Sequence, residues 1–283
     1  MKKLYVINNS GQKEPFSWKK ICNSAERVGA SKELARQIAT VIEREAYSGI
    51  TTVEIFRQVE EILSKKYPRG RIRFRLKEAI RRLGPSGFPF EKYVGGILIQ
   101  LGFSIKVNQY IKGQYVFHEI DFLAKDKEYC LIGECKYHSL PGGRVDLKVG
   151  LIHNSRCLDL ISGDACKKIK SKQLKIRPII ITNTKFTSEI IKYAQGVDID
   201  LLGWKYPEMR GLEYLIESEG FYPITILPSL TDNLLEIFGQ QKLMLVQDVL
   251  NIDEVKFSKK TKISEKNISI IKREAEILLL EKG

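Results

Sequence analysis

Long apolar runs, histidine and paired cysteines are scarce in this 283-residue chain. No apolar stretch approaches the roughly 18 residues of a bilayer span, so a membrane protein is not expected. The opening MKKLYVINNSGQKEPF turns polar too early for a secretory signal, which makes the cytoplasm the expected location. The five cysteines (Cys22, Cys130, Cys135, Cys157 and Cys166) show no CxxC spacing and are odd in number. Cys130 and Cys135 fall within a strand pattern and read as reduced packing residues, not as staples or metal ligands. His118, His138 and His153 form neither a zinc-ligand spacing nor a Ser/His/Asp arrangement. Internal repeats and low-complexity tracts are also missing.

What the chain has in excess is positive charge, +13 in all. Residues 1–85 carry 19 Lys+Arg against 9 Asp+Glu, a net of +10. Residues 86–212 carry 19 against 13, or +6, whereas 213–283 carry 9 against 12, or −3. The basic excess therefore lies in the first two blocks and suits a polyanionic partner, a nucleic acid or a nucleotide. A merely soluble basic surface explains the total equally well.

The strongest punctuation is Gly84-Pro85-Ser86-Gly87-Phe88-Pro89, which reads as a domain boundary. Before it, a short extended start leads to helices opening at Ser17, Ser31 and Thr51 or Thr52. Glu54 is placed early in the third, where it favours the helix dipole. That third helix shows Val53, Phe56, Val59 and Leu63 on one stripe. The segment 64–83 holds nine basic residues and one acid. It reads either as a phosphate-contacting stretch or as a solvated face behind the core stripe Ile72, Leu76, Ile80 and Leu83. After the boundary, a helix from Phe90 is followed by strands, a helical stretch near 147–161, a β run at 178–182, a helix at 188–195 and a strand at 199–202. Such alternation argues for a mixed α/β sandwich with helices on both faces. The remainder, 213–283, is helical; a helix-hairpin-helix-like module and a packing or dimerising appendage are both open.

The chemistry concentrates in 117–138, which reads as a β-hairpin with a charged turn at 125–128. Glu134 and Lys136 are two apart and share a strand face. Folding about the middle of the turn sets Asp121 opposite Ile132 and leaves Glu134 as a diagonal neighbour, roughly 7–8 Å away at Cα. Two acids and a lysine that converge in this way suit Mg²⁺ and a water beside a phosphate.

The residues Phe90-Glu91-Lys92-Tyr93-Val94, His118-Glu119-Ile120-Asp121-Phe122, Gly133-Glu134-Cys135-Lys136 and 181–187, followed by Tyr193-Ala194, resemble the PD-(D/E)XK restriction-endonuclease superfamily, in its Mrr-like branch. The similarity spans about 88–204. It implies metal-dependent phosphodiester hydrolysis, with Asp121 and Glu134 as ligands of Mg²⁺, or of Mn²⁺ in its place. It further implies that the Cys135 carbonyl supplies a third oxygen, Glu91 lies at the site's edge, and Lys136 orients water or stabilises charge on the phosphate.

The first block resembles an ATP-cone over about 3–82, through Val6-Ile7, Gly11, Glu14-Pro15-Phe16, Lys20-Ile21, Gly49-Ile50-Thr51-Thr52, Ile55 and 73–77. The resemblance implies ATP or dATP as an effector, with Val6, Lys20 and Thr52 at nucleotide-contacting positions. Where that family has a Lys-Arg pair gripping the triphosphate, this chain has Asn8 and Asn9.

The sequence thus leads to an α/β protein with a mixed-sheet, restriction-endonuclease-like core. The expected domains are a mainly helical ATP-cone-like domain (1–84), a nuclease domain (88–212) and a small helical domain (213–283). The expected activity is that of a metal-dependent endonuclease on double-stranded DNA, under nucleotide control. A non-catalytic, nucleotide-responsive DNA-binding regulator on a nuclease scaffold is the alternative. DNA and a nucleotide effector are the implied partners, and a homo-oligomer is left open.

Overall fold

A computed structural model describes residues 4–8, 11–84, 90–140, 142–164, 166–167 and 173–279. Asn9 and most of the 84–89 punctuation lie outside the described residues. The chain divides into two compact units, Met1–Ala79 with Ile226–Leu230 and Ile252–Gly283, and Ile80–Thr225 with Thr231–Asn251.

The first unit opens with β1 (Tyr5–Ile7) and β2 (Lys13–Pro15), an antiparallel pair that β3 (Ile50–Thr51) joins in parallel on the other side of β1. Three helices follow the sequence signals closely. Ser17 accepts from the Lys20 amide to start α1 (Trp18–Arg27), and Ser31 accepts from the Leu34 amide to start α2 (Lys32–Glu45). A reciprocal Thr51–Glu54 capping box opens α3 (Thr52–Lys66). Their inner faces meet in a core that includes Ala25, Ile38, Ile42, Val59 and Leu63. Val53 does not belong to it: in the first turn of α3 it is 49% exposed, and Ile55 and Phe56 take the stripe's inner places.

Proline stops α3. Pro68 lacks an N–H, so a new helix, α4 (Pro68–Phe74), begins after Tyr67, and α5 (Leu76–Arg81) follows. Gly70 lies under the Tyr67 ring so closely that a Cβ would come within 2.1 Å of it. Ile72, Leu76, Ile80 and Leu83 are buried as the stripe requires. Arg71 and Arg75 from the basic run both reach Glu60, at 3.3 and 3.8 Å.

In the second unit, α6 (Phe90–Gln100) precedes a meander of β4 (Ser104–Lys112), β5 (Phe117–Lys125) and β6 (Tyr129–Lys136). Next come β7 (Arg144–Val145), α7 (Leu147–Ser162), β8 (Lys175–Thr182), β9 (Lys185–Phe186), α8 (Ser188–Val197) and β10 (Asp200–Leu202). The main sheet is mixed, in the order β10-β8-β6-β5-β4; the β4-β5-β6 pairs are antiparallel and the β6-β8-β10 pairs parallel. Strand alternation puts Ile105 and Val107 of β4 on one face, where Gly95 lets α6 approach them. The other face places Leu123, Cys130 and Ile132 against Cys157 and Leu160 of α7. Helices thus cover both faces of the sheet.

The C-terminal helices are α9 (Leu212–Glu219), α10 (Asp232–Gln240), α11 (Val246–Leu250), α12 (Glu254–Thr261) and α13 (Glu265–Leu279). The sequence reading makes 213–283 one helical domain, but the chain distributes it over both units. In the sheet unit, buried Tyr93 of α6 donates to the Phe221 carbonyl at 2.7 Å, and the Ile224 amide donates to Met244 at 3.0 Å. In the first unit, α13 packs on α4, where Arg69 donates to the Leu278 carbonyl at 3.1 Å and Glu274 accepts from the backbone and hydroxyl of Ser229.

The hairpin's register differs from the one expected. Leu123 pairs with Ile132 and Phe122 with Gly133, so Asp121 falls level with Glu134, not Ile132. The cause is the turn: Asp126 accepts from the amides of Glu128 and Tyr129, closing a tight loop that lets β5 run through Lys125. Gly133 is covered by the Phe122 ring, which an added Cβ would meet at 2.0 Å. Gly133→Ala is therefore expected to destabilise the protein by about 1–3 kcal/mol through overpacking, read as a lower urea midpoint at unchanged slope.

Candidate active site

Glu134 is 6% exposed, and each of its oxygens meets a cation. Oε1 lies 2.5 Å from Lys136 Nζ, and Oε2 accepts from Arg156 Nη1 at 2.5 Å. Lys136 reaches it because two residues along a strand return to the same face; Arg156 comes from α7, which packs on that face. Burial pushes the Glu134 carboxyl up, but Lys136, Arg156 and the neighbouring His153 together hold it below its ordinary value. His153 is buried one helical turn before Cys157, and desolvation pushes it down to about 4, which leaves the ring neutral at pH 7.

Asp121 stands where β5 and β6 part. Their pairing ends at Phe122 and Gly133, and the next inward amide, that of Cys135, donates to Asp121 Oδ2 at 2.6 Å. The carboxylate fills a place that a strand carbonyl would otherwise take. Its pKa is raised to about 6, first by desolvation and then by the charges of Glu134 and Glu91, against the lowering effect of the Cys135 amide and Lys136. Glu91, in the first turn of α6, is thus within electrostatic reach of Asp121 and Cys135. The Cys135 side chain is buried, and desolvation holds its thiol well above the usual range; the carbonyl is the group it can offer a ligand.

The end of β8 and the residues after it support this strand end. Thr182 donates to the Lys136 carbonyl at 2.5 Å, Asn183 exchanges two 2.8 Å hydrogen bonds with the His138 backbone, and Thr184 donates to the Gly143 carbonyl. His138 shares a face with Glu134 and Lys136 in the sequence reading; its ring packs against Gly143.

Two residues escaped the sequence reading. His153 had no identifiable partner and Arg156 was not singled out. The available signal was a basic residue beside the helical stripe Gly150, His153, Cys157 and Leu160, all buried in α7. Nothing in the sequence ties that helix to Glu134. Among the described residues, no group of three or more His, Cys, Asp and Glu side chains is gathered to hold a metal ion. What the site offers is a set of hard oxygen donors, two carboxylates and a main-chain carbonyl.

In the first unit, Val6, Lys20 and Thr52 come together around a cavity of about 210 Å³. Its walls are largely apolar, including Phe16, Ile55 and Phe74. At its polar rim Lys20 pairs with Glu14 at 3.0 Å, and Asn8 donates to the other Glu14 oxygen at 2.8 Å. Those two partners hold the Glu14 carboxyl below its ordinary value.

An ATP cone domain model matches residues 4–79, and a model described as AF1548-like, C-terminal, matches 222–279. An uncharacterized protein of Archaeoglobus fulgidus is 38% identical over 161 residues, which is 56% of this chain and 85% of that protein. The chain belongs to the AF1548-like family. A solved member, titled Crystal Structure of Protein of Unknown Function AF1548, shares 33% identity and superposes with a TM-score of 0.55, covering 66% of this chain and 96% of its own. The ATP cone is matched in this chain by its own domain model, and the AF1548-like relationship brings no assigned activity. Among the described residues no helix is long and apolar enough to cross a membrane.

The raised pKa of Asp121 has a sign that stability measurements can read. The folded state holds this proton from about pH 6 downward, whereas the unfolded chain releases it above its ordinary value of 3.8. Burial of the anion therefore costs stability that is fully felt above about pH 6 and vanishes below about pH 4. In chelator-treated buffer Asp121→Asn, which keeps an acceptor for the Cys135 amide, is expected to raise Tm at pH 8 and to lose that advantage on acidification.

Proposed function

We propose that the chain is a metal-dependent nuclease acting on double-stranded DNA, controlled by a nucleotide at its ATP-cone. One observation carries this reading: Asp121 is level with Glu134 at the point where two strands diverge, and Lys136 touches the Glu134 carboxylate. Mg²⁺ is usually held by one or two carboxylates plus waters and substrate phosphate, and not in an all-protein cage. Asp121, Glu134 and the Cys135 carbonyl fit that donor chemistry. The bound ion would lower the pKa of a water and offset charge on the phosphate.

The protein's own groups do the rest. Asp121, its oxygen fixed by the Cys135 amide, holds one side of the site. Glu134 holds the other, kept ionised by its cations. Glu91, at the start of α6, orients a water at the edge. Lys136, carried on the same strand face, steadies the attacking water or the charge developing on the phosphate. The net charge of +6 over 86–212 supports a polyanionic substrate. A second reading, a non-catalytic DNA-binding regulator, is favoured by the cations on both Glu134 oxygens, an arrangement that is also a self-sufficient buried ion group.

Cleavage of duplex DNA and of RNA in Mg²⁺ or Mn²⁺ separates these readings. Asp121→Ala and Lys136→Ala are each expected to slow DNA cleavage by about a hundredfold or more. Equal activity in all three proteins would remove the site assignment, and DNA binding without cleavage in any would select the regulator.

For control, a nucleotide must bind two states of the protein unequally. Lys20→Ala is expected to weaken ATP or dATP binding by about 10–100-fold, the size of one charge-assisted contact, as measured by calorimetry. It should also abolish any effect of nucleotide on cleavage, DNA affinity or assembly size. If nucleotide changes none of these in the unaltered protein, the gating half of the proposal is wrong.

A further inference from the structure

Beyond keeping Glu134 ionised, Arg156 has no place in the chemistry above, yet it occupies the carboxylate that chemistry needs. Glu134 has two oxygens, and in this structure Lys136 holds one and Arg156 the other. A guanidinium remains charged at any pH a folded protein tolerates, so it cannot neutralise itself to admit another cation. A divalent ion bound at Oε2 would sit within about 4 Å of it, where like charges repel strongly in a site this shielded from water. One of the two must leave. Arg156 is the side chain placed to do so: among the described residues Glu134 is its one hydrogen-bond and ion-pair partner, made through Nη1, and its side chain is 25% exposed. The other N–H groups of its fork are therefore uncommitted, in the geometry that grips a phosphate bidentately.

We propose that Arg156 is a positioning residue that locks Glu134, competing with a divalent cation for Oε2, so that cation entry requires this ion pair to open. The proposal rests on the metal reading of Asp121 and Glu134 given above and adds a residue and a constraint to it. It makes the unliganded site a closed one: the carboxylate is held ionised and in position by Arg156, and is given up when a cation takes the same oxygen.

The test is calorimetric titration of the full chain with Mn²⁺ alone, without nucleic acid or nucleotide, on the unaltered protein and on Arg156→Gln, Arg156→Lys and Asp121→Ala. Removing the competitor is expected to tighten Mn²⁺ binding in Arg156→Gln by at least about tenfold, the equivalent of one charge-assisted hydrogen bond. Arg156→Lys, with a shorter side chain and no fork, should fall between Gln and the unaltered protein. Asp121→Ala should lose the binding. Mn²⁺ affinity that is equal or weaker in the Gln variant, while the unaltered protein binds in an Asp121-dependent way, overturns the lock and leaves the metal reading intact. Should the Gln variant fail to fold, the Lys variant decides by the same criterion, tighter in support and equal or weaker against. Absence of Asp121-dependent binding in every protein defeats the metal reading and the lock with it.

Discussion

A carboxylate buried in the middle of a sheet must be matched by positive charge, and Glu134 is matched from two directions. Lys136 is local, two residues along the same strand, and would be there in any strand with this spacing. Arg156 is not local: it arrives only if α7 docks on the sheet in one rotation. That docking is fixed by Cys157 and Leu160 against Cys130 and Ile132, and by Asp159 on the helix's outer flank. Asp159 accepts from the amides of Tyr115 and Val116 and contacts His118 at 2.7 Å, which ties the β4–β5 turn to the same helix. Removing one partner of a buried ion group typically costs about 3–5 kcal/mol, so helix, hairpin and carboxylate are constrained together.

The second constraint is the parting of β5 and β6. Antiparallel strands normally satisfy each other's amides, and an unsatisfied buried amide is costly. Here the Cys135 amide is answered by a side chain, Asp121, which stands level with Glu134 in the register of the two strands. The raised pKa of Asp121 follows from the same arrangement: it is taken from water toward two other acids, and Lys136 only partly offsets this. Hydrogen bonds from Thr182 to the Lys136 carbonyl and from Asn183 to the His138 carbonyl fix the backbone at this strand end.

Local signals were the ones the sequence carried well. Ser17, Ser31 and the Thr51–Glu54 box start their helices where polar residues precede an apolar period, because capping is settled within four residues. The pairing of Glu134 with Lys136 was equally legible from strand parity. The register of the hairpin was not, since it depends on which residue of a charged turn caps the loop, and Asp126 moves the pairing by one step at each strand. Arg156 and the division of 213–283 between two units were out of reach for a different reason. Both depend on which faces meet across long stretches of chain, and periodicity gives a face without naming its partner.

Both candidate sites hold their charged groups in internal pairs. In the cone cavity Lys20 is paired with Glu14, and in the sheet Glu134 is paired with Lys136 and Arg156. The two differ in exposure: Lys20 and Glu14 are largely open to water, which screens them, whereas Glu134 is buried, so under the proposed function a cation there must displace an internal partner. The exchange favours ligands that carry both kinds of charge. Under the proposed function, a nucleotide with its counter-cation would satisfy Lys20 and Glu14 together. Under the same proposal, a phosphodiester that arrives with a divalent ion would take Arg156 through its oxygens while the ion takes Glu134. At Glu134 selectivity of this kind comes from the internal pairs themselves, because a ligand that displaces one cation without taking it up leaves that cation without a partner.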